Sequence, residues 1–187
     1  MTRIHQLIDE LNDLGKTRED AWQIPREEGE FLQQIALISH ARVIVEVGTS
    51  YGFSGLFWGK ALLHTGGVLH TIDADPAKVA SSKKTFADAG LGAIITNHFG
   101  KAADVLATLH GPFDVAFIDA DKTSTRAYFD LIWPKLRSGG SILTDNATTH
   151  REELADFVGY VRSLENASSV EVAVGNGVEW TVKLGKK

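Results

Sequence analysis

The 187-residue chain has no cysteine. Disulfides, zinc–thiolate sites and a cysteine nucleophile are therefore excluded. It also has no apolar run approaching the roughly 20 residues that a membrane-spanning helix needs. The first residues, MTRIHQLIDELNDLGK, are amphipathic and charged and lack the apolar core of a signal peptide. Basic blocks are missing apart from the terminal Lys-Lys pair, and the net charge is -5. A nucleic-acid backbone attracts clustered Lys and Arg, so it is not the expected partner. These absences predict a cytoplasmic protein with neither a membrane nor a nucleic acid as partner.

What is present is enough for a core. Hydrophobic residues make up 43% of the chain, which argues against disorder. The length is that of one domain, and no repeat, linker or low-complexity tract divides it. We expect a single domain over 1–187, with a helical N-terminal extension or lid (1–41) and an alternating core (42–187).

Ile4, Leu7, Ile8, Leu11 and Leu14 recur at helical spacing. A second helix is predicted from Pro25 in its first turn, with Glu27 and Glu28 near the positive end of the dipole. Phe31, Ile35 and Ile38 form its inward stripe. Beyond residue 42, the β-rich runs VIVEV, VLHTID, AIITNHF, FDVAFID and GSILTD alternate with helical patterns. That alternation predicts βαβ units and a mostly parallel sheet covered on both faces. Pro134 predicts a kink or an early end in the helix drawn over 124–140. The chain closes with a helix over 151–166, then SVEVAV and VEWTVKL joined by a tight Gly-Asn-Gly turn, which reads as a hairpin with an antiparallel strand.

The turn VIVEVGTSYGFSG joins the first core strand to its helix. In an open α/β sheet, ligands bind at the carboxyl ends of strands where the topology switches. Gly48 and Gly52 let the backbone pass close to a ligand. The dinucleotide fingerprint fails, because Ser50 and Phe53 stand where glycines are required, and no P-loop lysine follows. A plain strand-to-helix turn is the alternative. Glu46, inside an apolar strand, needs a partner because a buried unpaired carboxylate is costly. Asp73 ends the second strand, where an acid takes the hydroxyls of a ribose; it could instead cap the next helix through Pro76.

VEVGTSYGFS together with TIDADP resembles the first two motifs of the class I S-adenosylmethionine-dependent methyltransferases. The likeness runs from about Trp22 to the C-terminus. It implies an α/β, Rossmann-like class I methyltransferase fold: a mostly parallel seven-stranded sheet with an antiparallel C-terminal hairpin strand and helices on both faces.

A second constellation sits further along. Asp119 ends the fourth core strand, and Asp145 and Asn146 end the fifth. Neighbouring strands lie about 4.8 Å apart, so these tips would converge. Two carboxylates and an amide oxygen are hard donors that suit Mg²⁺ or Ca²⁺ better than Zn²⁺. Lys122 follows on the loop, and a dication beside a lysine favours its neutral form, making it a candidate general base. The alternatives are an ordinary Asx turn at Asp145-Asn146 and a solvated pair at Asp121-Lys122.

FIDADK with GGSILTDN resembles the cation-dependent O-methyltransferases typified by the catechol and caffeoyl-CoA enzymes. The resemblance implies that Asp119, Asp145 and Asn146 hold a divalent cation, with Mg²⁺ expected first and Ca²⁺ or Mn²⁺ as alternatives. It implies Lys122 as the base beside Asp119. It implies that Glu46, Gly48, Thr49, Ser54, Asp73, Gly100, Lys101, Ala102 and Asp119 hold S-adenosyl-L-methionine. The expected acceptor is a small phenolic substrate with vicinal hydroxyls, and a homodimer is common in the family. The chain departs from the pattern in one place. The family usually continues after Asp-Asn with an apolar, tryptophan-containing loop over the substrate, whereas DNATTHREEL runs almost directly into a helix. Trp22 and Ile24 are candidates for a substitute lid, and His150 falls in the altered loop.

Overall fold

The computed structural model describes residues 2–185. Its strands are β1 (Val43–Val47), β2 (Val68–Asp73), β3 (Ile95–Phe99), β4 (Phe113–Ile118), β5 (Leu136–Thr144), β6 (Ala167–Val172) and β7 (Val178–Lys183). They form one sheet in the order β3-β2-β1-β4-β5-β7-β6. The first five run parallel, and β7 pairs antiparallel with both β5 and β6. This is the doubly wound, seven-stranded arrangement expected from the alternation, with β7 as the reversed strand.

Among the described residues there are seven α-helices: α1 (Arg3–Thr17), α2 (Arg26–Ile38), α3 (Phe53–Thr65), α4 (Pro76–Asp88), α5 (Ala102–Thr108), α6 (Thr125–Ile132) and α7 (Arg151–Ser163). Successive strand residues point to opposite faces. Ile44, Val115 and Phe117 enter the core under α1 to α4, while Val45, Val47, Ala116 and Ile118 enter the one under α5 to α7. Helix α3 is apolar nearly all round, with Leu56, Phe57, Trp58 and Ala61 at most 1% exposed. It is sandwiched between the sheet and the two N-terminal helices. Leu7, Ile8 and Leu11 of α1 and Leu32 and Ile35 of α2 share its core. Among the described residues, no helix is long and apolar enough to cross a membrane.

Several boundaries differ from expectation. Pro25 is the N-cap of α2 and does not lie in its first turn. The buried face of α2 comprises Glu28, Gly29, Leu32, Ile35 and Ala36, whereas Ile38 is 75% exposed. At 100° per residue, Ile38 lies roughly 120° from the middle of that face. Phe31 is partly buried, edge-on to Trp180 at 6.1 Å. The helix drawn over 124–140 stops at Ile132, and Trp133–Lys135 make a 3₁₀ turn around Pro134. Proline cannot supply the N–H that would continue the helix. Residues 136–140 instead open β5, with a register shift and Gly139 at φ +73°. The Gly-Asn-Gly turn is part of a longer connection, residues 173–177, because β6 ends at Val172.

Beneath the tips of β1 and β2 lies a buried polar layer. Glu46 is fully buried and points toward α3. Its carboxylate accepts the Trp58 indole N–H (3.0 Å) and the Thr71 hydroxyl (2.6 Å), and Thr71 meets the Thr49 hydroxyl at 2.6 Å. Burial pushes the Glu46 carboxyl up to about 7, against the hydrogen bonds from Thr71, Ser54 and Trp58. A carboxyl that holds its proton more tightly folded than unfolded stabilises the fold fully at low pH. That contribution is lost as pH rises from the ordinary carboxylate range through about 7. Glu46→Gln is therefore expected to gain stability relative to wild type between pH 5 and pH 8, by on the order of 3 kcal/mol. Paired urea unfolding curves across that range measure it. A difference independent of pH would show that Glu46 does not titrate as its burial dictates.

Candidate active site

The chain steps from β1 outward to β2 and β3, then returns to place β4 on the other side of β1. This switch point opens a crevice at the carboxyl ends of the strands. Gly48 leaves β1 with φ +102°, and a Cβ there would collide with the Asp119 carbonyl oxygen. Glycine thus lets the β1 and β4 tips touch. The loop then turns through Ser50 at φ +45°, whose N–H donates to Asp73 Oδ2 at 2.8 Å. Asp73 Oδ1 accepts the Asp75 N–H at 2.9 Å. The cap of α4 is Asp75, which accepts from Ala77 and Lys78. Asp73 is thereby free of the capping role, and it lines the crevice.

The crevice has a volume of about 900 Å³. Gly48, Asp73, Gly100, Lys101, Ala102 and Asp119, all expected to hold the cofactor, line it. So do Lys122, Asp145 and Asn146. Thr49 and Ser54 border only a side recess of about 10 Å³ beside Gly48 and Asp119. Glu46 lines neither space. Its place on β1 aims it into the polar layer below the recess, where Trp58 and Thr71 occupy its oxygens.

The parallel ladder continues one residue past the strands. Asp119 N–H donates to Val47 O at 2.9 Å, and Asp145 N–H donates to Ile118 O at 3.0 Å. Both acids are thus fixed at adjacent tips. Asp145 is 1% exposed, and Asp119 shows 19% of its side chain. Burial and the neighbouring Asp145 hold the Asp119 carboxyl above the ordinary carboxylate range, with Lys122 pulling the other way. Lys122 Nζ is 3.5 Å from Asp119 Oδ1 and donates to Ala120 O at 2.9 Å. Its side chain is only 12% exposed, and its ion pair is with Asp119. Asp121 anchors the loop by accepting from Ser124 N–H (2.9 Å), Thr123 Oγ1 (3.0 Å) and Tyr128 OH (2.8 Å). Asn146 has φ +69° and donates its amide to Thr149 Oγ1 at 3.1 Å.

Among the described residues, no group of three or more His, Cys, Asp or Glu side chains is arranged to hold a metal ion. The expected donor set is smaller, two carboxylates and an amide oxygen. Its fit to a hard cation rests on the two buried, mutually repelling acids with only Lys122 beside them. A third acid, missed by the spacing arguments, is linked to Asp145 through Asn176. Glu28 of α2 is fully buried, and its Oε1 has no hydrogen-bond partner among the described residues. Burial first, then the charge of Asp145, pushes its carboxyl up. A glutamate on the inward stripe four residues before Leu32 was the available signal. Trp22 and Ile24 are the candidates for a substitute lid. Trp22 lines the crevice at 77% exposure, with the Lys78 ammonium 4.2 Å above its ring. Ile24 is buried and packs in the core. His150 and Glu153 stand on the crevice wall where the chain enters α7.

The catechol O-methyltransferase of Niastella koreensis is 35% identical over 144 residues, which is 75% of this chain and 65% of that one. A protein of Mycobacterium sp. (strain KMS) is 38% identical over 121 residues, 64% of this chain and 54% of that one. The chain thus spans between about half and two thirds of the length of these curated relatives. Among solved structures, the O-methyltransferase from Bacillus cereus in complex with SAH superposes with a TM-score of 0.84 at 24% identity. The overlap covers 97% of this chain and 90% of that one. An SAH-bound methyltransferase of Podospora anserina gives 0.88 at 23% identity, covering 96% and 88%. These two likenesses concern the fold. Residues 45–147, running from β1 through the Asp145-Asn146 turn, match the family described as "Methyltransferase domain". With more than half of its length inside that match, the chain belongs to the methyltransferase domain family.

Proposed function

We propose that this protein is an S-adenosylmethionine-dependent O-methyltransferase that acts on a hydroxyl of a small catechol-like phenol with the help of a divalent cation. One observation carries the reading: a single crevice is lined on one side by Gly48, Asp73 and Gly100 and on the other by Asp119, Lys122, Asp145 and Asn146. The name of the Niastella relative supports the acceptor class. When bound, the sulfonium supplies an activated methyl group and the cation supplies Lewis acidity.

The residues divide the remaining work. Asp73 would take the ribose hydroxyls, with its carboxylate already oriented by the Ser50 and Asp75 amides. Gly100, Lys101 and Ala102 would border the base. Asp119, Asp145 and Asn146 would hold the cation. Lys122, nearly buried and 3.5 Å from Asp119, would accept the proton that the acceptor hydroxyl loses. Fixing both reactants on one rigid strand edge lowers the entropic part of the barrier.

A second reading has specific support. The wall beyond Asn146 is polar, with His150 and Glu153 in place of an apolar loop. That fits a metal-independent transfer to a different small acceptor. Labelled S-adenosylmethionine, offered with mono- and dihydroxy aromatics with and without Mg²⁺, separates the two. The first reading expects transfer to vicinal diols that EDTA abolishes. Transfer that persists in EDTA selects the second, and no transfer to any vicinal diol under any metal condition defeats the first. Asp145→Ala is expected to lower metal-stimulated turnover by about 100-fold or more while S-adenosylhomocysteine affinity changes by no more than about 3-fold. Asp73→Ala is expected to do the converse, weakening S-adenosylhomocysteine binding by about 10-fold or more in calorimetry, because its charge-assisted hydrogen bonds are lost.

A further inference from the structure

Of the three expected cation ligands, Asn146 alone has a side chain with two unlike ends. A carboxylate presents an oxygen at either end, whereas a carboxamide presents an oxygen at one end and two N–H donors at the other. A hard cation takes the oxygen. The expected donor set therefore depends on which end of the Asn146 amide is turned to the crevice. The hydrogen bonds account for every other polar group of this residue. Its N–H donates to Asp145 Oδ1, and its carbonyl accepts the His150 N–H at 2.8 Å. Its side-chain nitrogen donates to Thr149 Oγ1 at 3.1 Å. Oδ1 is the group not engaged in these bonds, on a residue that lines the crevice.

Thr149 is itself held in place. The Asn176 carbonyl accepts the N–H groups of Thr148 and Thr149 at 3.1 and 3.2 Å, and Gly177 O accepts that of Ala147 at 2.8 Å. The β6–β7 connection thus grips the turn that follows Asp145. Within that turn the Thr149 hydroxyl stands between two partners, 3.1 Å from Asn146 Nδ2 and 3.1 Å from His150 Nδ1. A hydroxyl has one proton and two lone pairs. With its proton directed to the imidazole nitrogen, it offers Asn146 lone pairs alone. These accept the amide nitrogen and repel the amide oxygen.

We propose that Thr149 is a positioning residue of the cation site: its hydroxyl holds the nitrogen of the Asn146 amide and so presents the oxygen to the crevice. The inference rests on the metal-assisted reading above, and it concerns binding of the ion. It gives a role to the short polar turn after Asn146, whose side chains orient a ligand atom where a longer loop would cover a substrate.

The test is direct binding of Mn²⁺ to the full chain saturated with S-adenosylhomocysteine, followed by electron paramagnetic resonance and calorimetry at one fixed pH. Thr149→Val keeps the branched shape and removes the hydroxyl at an exposed position. It is expected to weaken Mn²⁺ binding by about 5-fold or more, with S-adenosylhomocysteine affinity held within about 2-fold as the check on folding. Thr149→Ser keeps the hydroxyl and is expected to stay within about 2-fold of wild type. In an Asn146→Asp background both ends of the side chain are oxygens, so adding Thr149→Val is expected to change Mn²⁺ affinity by less than about 2-fold. Equal Mn²⁺ affinity in Thr149→Val and wild type overturns the inference and leaves the metal reading standing. A loss of the same size in the Asn146→Asp background also overturns it, because the hydroxyl would then act by some route other than the orientation of the amide. Absence of Mn²⁺ binding in wild type overturns both. If Thr149→Val does not fold, Thr149→Ala, which lacks the branch, is judged by the same outcomes.

Discussion

Like charges buried side by side set the terms for this molecule. Two unit charges about 4 Å apart repel by about 4 kcal/mol even at an effective dielectric of 20, a large share of the stability of an ordinary domain. Asp119 and Asp145 are nonetheless held at adjacent strand tips, with Glu28 behind them. Lys122 offsets part of that repulsion. The remainder must be met by protons or by a bound cation. The upward displacement of Asp119 and Glu28 is the protonic answer in the protein alone. A divalent ion would replace those protons.

The fold can sustain this because the acids ride on backbone that has no freedom to move apart. Each takes the next rung of a parallel ladder, Asp119 on Val47 and Asp145 on Ile118. The same rung joins the two halves of the crevice. Gly48 touches the Asp119 carbonyl, so the turn after β1 and the tip of β4 share one contact. A shift in either strand would move both halves together. That coupling is useful to a group transfer, where donor and acceptor must be aligned to within a fraction of an ångström.

Elements written in local pattern were legible in the sequence. The β-rich runs and the helices between them set the sheet, and Asp73, Asp119, Asp145 and Asn146 read as tip residues because each closes an apolar run. Features set by tertiary context were not. Glu46 read as a buried carboxylate in need of a partner, but which partners it has, Trp58 and Thr71, was set by the packing of α3 and β2. Two acids stood near the start of α4, and the hydrogen-bond count gave the cap to Asp75 and left Asp73 for the crevice. Residues 136–140 read as helix end because a bulge at Gly139 hides the strand period. Glu28 was read as a charge favouring a helix N-terminus. Its true surroundings, Asn176 and Asp145, lie 148 and 117 residues away in the chain, beyond the reach of any local pattern.

The short passage from Asn146 to α7 bears on how an acceptor would be chosen. Helix α7 begins at Arg151, so the passage from Asp145 is short, and the wall there is Asn146, His150 and Glu153. Trp22 faces the crevice from the N-terminal segment, but it is largely exposed and already engaged by Lys78. A crevice of about 900 Å³ is at the upper end of the usual range for small-molecule sites, so shape alone would discriminate weakly. On the proposed reading, orientation must then come from two oxygens held at one cation and from Lys122 at one of them. Such a site selects for the vicinal pair of hydroxyls and is lenient about the rest of the molecule. Burial against an apolar clamp would reverse that order of preference. The selectivity therefore falls on the carboxylates, and with it the demand that Asp145 be held still.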